Sequence, residues 1–127
     1  MSAALAIQAA AFARLSAALA PIKVYDAVPQ GAAYPYVALG DDTQIDWSSK
    51  GASGHEHTLT FHAWSRYAGR KEAKELLGKV VAALGTRLAL DGHWNVDIYP
   101  EFETTLLDED GQTYHGVIRF RALTHTL

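Results

Sequence analysis

The sequence predicts one α+β domain spanning residues 1–127, in the order α-β-β-β-α-β-β-β. The sheet is expected to be mostly antiparallel or mixed, with two helices packed on one face. Three observations carry this. Ala73, Leu76, Leu77, Val80, Val81 and Leu84 recur at helical spacing, and a one-sided apolar stripe must be buried against something. Two other runs alternate. Leu59, Phe61 and Ala63 oppose Thr58, Thr60 and His62; Tyr114, Gly116, Ile118, Phe120 and Ala122 oppose His115, Val117, Arg119, Arg121 and Leu123. Third, short turn sequences, Asp91-Gly92 and Asp108-Glu109-Asp110-Gly111, separate strand-like runs and favour antiparallel neighbours.

In chain order, Ser2 is the expected N-cap of a first helix that stops near Ala20, because Pro21 removes a donor. Leu5, Phe12, Leu15 and Leu19 form its predicted stripe. Ile22 to Val28 reads as a short strand ended by the Pro29-Gln30-Gly31 turn. Tyr36 to Leu39 is the next strand, with Pro35 at its entry, and Thr43 to Trp47 extends or resumes it. Ser48 to Gly54 is poor in apolar anchors and reads as a mobile loop. The alternating run from Glu56 to Trp64 follows. The second helix has Gly85 placed as its C′ residue, and Glu75 and Lys79 spaced for an i,i+4 pair. Leu88 to Leu90, Trp94 to Tyr99, Phe102 to Leu107 after Pro100, and Thr113 to about Thr124 complete the strands.

At this length the chain can bury roughly two-thirds of its unfolded surface and fold without staples. A net charge of −3, with no basic run longer than Arg70-Lys71, gives no electrostatic footprint for nucleic acid or an anionic membrane. With no cysteine, disulfides and thiolate metal sites are excluded. Arg14 interrupts the apolar N-terminal stretch, which lacks a basic lead-in and does not read as a signal peptide. No window reaches the ~20 apolar residues of a membrane span. Synthesis and folding in a bacterial cytoplasm are expected.

Chemical constellations are sparse. His55 and His57 share one side of a strand, but the third and fourth metal ligands are missing, and Glu56 faces away. The other histidines fall singly. Asp41, Asp42 and Asp46 sit in a polar turn context, without the two contrasting environments that acid–base work needs. Asp108-Glu109-Asp110-Gly111 lacks the spacing of a calcium loop. Arg119 and Arg121 share a face and are expected to pair with Glu101 or Glu103 across the hairpin. Trp47, Trp64 and Trp94 are expected as core or interface anchors. No nucleophile elbow exists. No catalytic residue, cofactor or metal is predicted.

The ordered motifs are more specific than any one of them. They begin with Tyr25-Asp26, Val28-Pro29-Gln30-Gly31, Tyr34-Pro35-Tyr36-Val37, Gly40-Asp41-Asp42 and Asp46-Trp47. They continue through His55 to Trp64, Gly69-Arg70-Lys71-Glu72-Ala73, Ala89-Leu90-Asp91-Gly92-His93 and Asp108 to Phe120. In this order the chain resembles, over nearly its whole length, the tail-completion (tail-terminator) family of long-tailed bacteriophages, prophages and gene transfer agents. The resemblance implies a structural virion protein and not an enzyme. It implies a homo-oligomeric ring, commonly a hexamer, on the head-proximal end of the tail tube. Such a ring stops tube polymerisation and joins the neck, with the tail tube protein and a head-completion stopper or adaptor as partners. DNA would pass through its lumen unbound. Sheet edges and the alanine-rich first helix are the expected lateral contacts. Trp47, Ser49, Lys50, Ser53 and His55 around the first loop, and Asp108, Glu109 and Asp110 at the acidic tip, are the expected docking residues. The alternatives are another head–tail connector or minor tail component, and a small metal- or ligand-binding enzyme using the His55/His57 face.

Overall fold

The computed structural model describes residues 1–127. The elements are α1 (Ala3–Leu19), β1 (Lys23–Tyr25), β2 (Tyr36–Asp46), β3 (Gly54–Ser65), α2 (Lys71–Ala83), β4 (Ala89–Leu90), β5 (His93–Leu107) and β6 (Tyr114–Thr126). They form one six-stranded sheet in the order β1-β2-β3-β6-β5-β4. β1 runs parallel to β2 and every other pair is antiparallel, so the sheet is mixed as the sequence predicts. The centre is the β3–β6 pair, in register from Gly54↔His125 to Ser65↔Tyr114. The end of the sheet holding Ser65 and Tyr114 is termed upper here, and the end holding Gly54 and His125 lower. The outer strands cover little: β1 pairs only with Tyr36 to Ala38, and β4 only with His93 and Trp94.

Both helices lie on one face and pack on each other as well as on the sheet. α2 follows the expected stripe, with Ala73, Leu76, Leu77, Val80 and Leu84 buried. Leu77 rests over Gly116, where an added Cβ would stand 3.1 Å from the leucine side chain. The missing side chain on β6 is what lets the helix sit this close. Ile7, Leu15, Leu59, Phe61, Ile118 and Phe120 fill the same core, with Phe61 and Phe120 edge-on at 5.9 Å.

Several expectations need correction. On α1 the buried residues are Ala3, Ala6, Ile7, Ala11, Leu15 and Leu19, and Ser2 caps the Leu5 amide as expected, while Leu5 and Phe12 point to solvent. The helix is apolar nearly all round, so periodicity alone does not locate its inner face, and small alanines allow the closer approach. Pro100 does not divide a strand. β5 runs through it, with bulges at Asn95/Asp97 and Pro100/Phe102. A missing donor is tolerated there because β5 above Trp94 is an edge, with β6 as its one neighbour. β2 likewise continues through Asp41-Asp42 by a bulge between Leu39 and Asp42. Glu75 pairs with Lys71 at 3.9 Å, one turn back, and not with Lys79. None of the three tryptophans is buried. Ser48 to Gly54 is an ordered hairpin end, closed by reciprocal backbone hydrogen bonds between Ser49 and Ala52.

Candidate interaction surfaces

The strand register places the two expected docking regions at opposite ends of the sheet. β3 starts at the lower end and β6 at the upper, so the Ser48–Gly54 and Asp108–Gly111 turns are separated by the length of β6. Thirteen residues of strand span roughly 40 Å.

At the lower end, every residue from Asp41 to Ser53 is exposed, so the second half of β2 and its turn stand in solvent. The turn is held by Ser48, whose hydroxyl donates to the Asp46 carboxylate at 2.6 Å and accepts from the Gly54 amide at 3.1 Å. The Trp47 amide donates to the Gly54 carbonyl, and its indole packs against His125 with ring centres 4.9 Å apart. The Ser53 carbonyl accepts from the Thr126 amide. Trp47, Ser53 and His55 therefore gather around the last turn of β6, whereas Ser49 and Lys50 form the tip itself. His57 faces the core, fully buried, with Nε2 at 2.9 Å from the Thr124 hydroxyl. Burial, then the neighbouring His55, pushes its pKa down to about 4, so it is a neutral core side chain. No third His, Cys, Asp or Glu joins His55 and His57 in a cluster of metal-binding size. The Nδ1 of His55 is buried without a hydrogen-bond partner.

At the upper end, Asp110 is committed to its own turn. Its carboxylate accepts from the Thr113 hydroxyl at 2.6 Å and from the amides of Gln112 and Thr113, and Arg66 stands 4.0 Å away. These contacts, the Thr113 hydroxyl foremost, hold its pKa at about 2. Gly111 completes the turn at φ 71°, a conformation costly for any residue with a Cβ. Asp108 and Glu109 form no ion pair, and exposed Arg70, over the Tyr114 ring, belongs to the same end.

Between the two ends lies the sheet face that no helix covers. Arg119 and Arg121 donate to the two oxygens of Glu101 at 2.8 and 2.9 Å, as the sequence predicts, and Arg121 also meets Glu56. Sequence reasoning missed a second group. His62 and His115, expected as singles, meet across β3 and β6 with Nδ1 2.6 Å from Nε2, and Trp64 stacks on His115 at 3.7 Å. Burial lowers the pKa of both, with His62 itself a further cause at His115. The long-range register that joins them is not visible in local patterns. The structure thus offers two polar ends and an uncovered face.

The tail completion protein gp17 family model matches residues 3–125. The chain belongs to this family. The tail completion protein gp17 of Bacillus phage SPP1 is 33% identical over 89 residues, a match that spans 69% of this chain and 66% of that relative. The fold is also similar to a chain in the virion of a native gene transfer agent particle, at a TM-score of 0.85, 30% identity and 98% coverage of both chains. The solved structure of the SPP1 gp17 protein matches at a TM-score of 0.63 and 27% identity, over 98% of this chain and 91% of that one. No helix of the protein is long and apolar enough to cross a membrane.

Proposed function

We propose that the protein is a tail terminator. Copies form a homo-oligomeric ring, a hexamer, that caps the head-proximal end of the tail tube in a phage or gene-transfer particle. The ring stops tube polymerisation and presents its other side to a head-completion protein of the neck, while DNA passes through its lumen without specific binding. The observation that carries this is the match, along 98% of both chains, to a chain in the virion of a native gene transfer agent particle. Two ends built by different turns of one sheet supply what such a ring needs. One carries Lys50 on an exposed hairpin with Trp47, Ser49, Ser53 and His55; the other carries Asp108, Glu109 and Asp110. A subunit whose ends differ gives a ring with two different axial faces, provided the lateral contact is heterologous and closes. A mild acidic excess repels the phosphate backbone and removes the salt-linked affinity of a DNA binder.

The test is electron microscopy of particles made without this gene. Tails of uncontrolled length beside unattached filled heads are expected. Tails of normal length, joined to heads, would overturn the assignment. Removing Ser49 to Ser53 separates the docking role from folding: a folded chain with defective joining is expected, and fully competent particles would exclude the lower hairpin as a docking element.

A further inference from the structure

Each edge of the sheet is half open, and the two open halves are diagonal to each other. β1 covers the upper end of β2, so Leu39 to Asp46 has β3 on one side and no strand on the other. β4 covers the lower end of β5, so from Asn95 up to Leu107 that strand has only β6 beside it. Outward backbone donors and acceptors of an edge strand recruit another strand unless something blocks them. Along the open part of β5, Tyr99, Phe102, Leu106 and Leu107 are all more than 40% exposed, which is an unusual apolar load for an edge left in water.

We propose that this protein joins copies of itself by strand addition, the open upper half of β5 in one copy pairing antiparallel with the open lower half of β2 in the next. The proposal rests on the ring reading above and names its lateral contact. Direction, face and offset support it. β5 runs from the lower end to the upper and β2 from upper to lower, so two copies in the same orientation present antiparallel edges. Thr43, Phe102, Thr104 and Leu106 all pair with uncovered-face residues of their inner neighbours, namely Thr58, Arg119, Val117 and His115. The joined sheet therefore keeps one face covered by helices and the other bare. The diagonal offset shifts each copy along the strand direction, which is the stagger that tilted strands need to close on themselves. Each edge's partner is present once per copy, so the contact is heterologous and every copy is equivalent.

Charge opposes fusion of such edges in dilute solution. The β2 half carries Asp41, Asp42 and Asp46, and the β5 half carries exposed Asp97 and Glu103; Glu101 is neutralised by its two arginines. Like charges on facing edges oppose pairing, so copies held together on a template join more readily than dilute ones.

The absence of native cysteine makes a clean test possible. Thr43→Cys is combined in turn with Phe102→Cys, Thr104→Cys or Leu106→Cys, which lie on one face at successive registers. Assembled tails are mildly oxidised and run without reductant. A ladder of covalent multimers of this chain is expected from at least one double variant and from none of the single variants, which also serve as folding controls. Particles that contain the ring by electron microscopy but give no ladder from any double variant would overturn strand addition and leave the ring standing. A covalent adduct to a different virion protein would overturn the second copy as occupant. Particles that contain no copy of the chain would instead overturn the ring reading itself.

Discussion

The covered and uncovered faces of the sheet are made by alternate residues of the same strands, yet they do different work. On β3 and β6 the covered side carries Leu59, Phe61, Ala63, Ile118, Phe120 and Ala122, nearly all fully buried. The other side carries Glu56, His62, Trp64, His115, Arg119 and Arg121, which pair with one another and stay partly wet. Burial of apolar area scales with stability, whereas exposed ion pairs contribute little. The comparison therefore teaches that folding is governed from one side of each strand, and that the other side contributes little to it.

The strongest way to break that division is on the covered side. Phe120→Ala removes a fully buried ring that packs edge-on against Phe61. It is expected to cost about 3–5 kcal/mol in urea unfolding. A loss under about 1 kcal/mol would show that the core is placed wrongly.

Acid attacks the same side through His57. Its folded pKa of about 4 lies below the ordinary 6.5, because burial disfavours the cation and His55 adds to the effect. The unfolded chain thus takes up the proton first as pH falls. Stability from this group is intact above pH 6.5 and lost progressively down to about 4, by about 3 kcal/mol in all. Chemical denaturation at pH 7 and pH 4 measures it. Burial lowers the pKa values of His62 and His115 as well, so they act in the same direction. His57→Gln is expected to flatten the slope, and an unchanged slope would assign it to the His62–His115 pair on the other face.

Gly116→Ala sharpens the comparison at one atom. The new methyl would press on the Leu77 side chain at 3.1 Å and push α2 outward. Overpacking of this kind is expected to cost about 1–3 kcal/mol by the same unfolding assay.

Legibility in the sequence follows the same division. α2 was readable because its apolar stripe is narrow and its opposite face is charged, so one period fits. The alternation in β3 and β6 was readable because their two sides differ in polarity, and that register also placed Arg119 and Arg121 beside Glu101. α1 was not, since alanine occupies both its inner and outer sides and Leu5 and Phe12 lie on the exposed one. The continuity of β5 through Pro100 was hidden because a proline is compatible with an edge but not with a central strand, and edge position is a tertiary property. The meeting of His62 with His115 and Trp64 depends on pairing between residues more than fifty apart in sequence. Of the expected docking residues, the sequence indicates which are polar and near turns. That the two groups stand at opposite ends needed the sheet order.

The smallest effect is expected on the uncovered face, and its size decides whether the comparison holds. Glu101 bridges two arginines, one of which also meets Glu56, so it is the best-connected charge there. Glu101→Gln keeps the shape and one acceptor but removes the charge. Arg119 and Arg121 remain partly exposed, so water and salt screen what is lost, and the arginines keep solvent as a partner. The expected cost is under about 1 kcal/mol, shrinking further as salt is raised, because the interaction is screened. A loss of about 3 kcal/mol that persists in high salt would mean the network behaves as a buried one. The uncovered face would then share the burden of folding, and its residues could not be exchanged freely for those that a neighbouring copy requires.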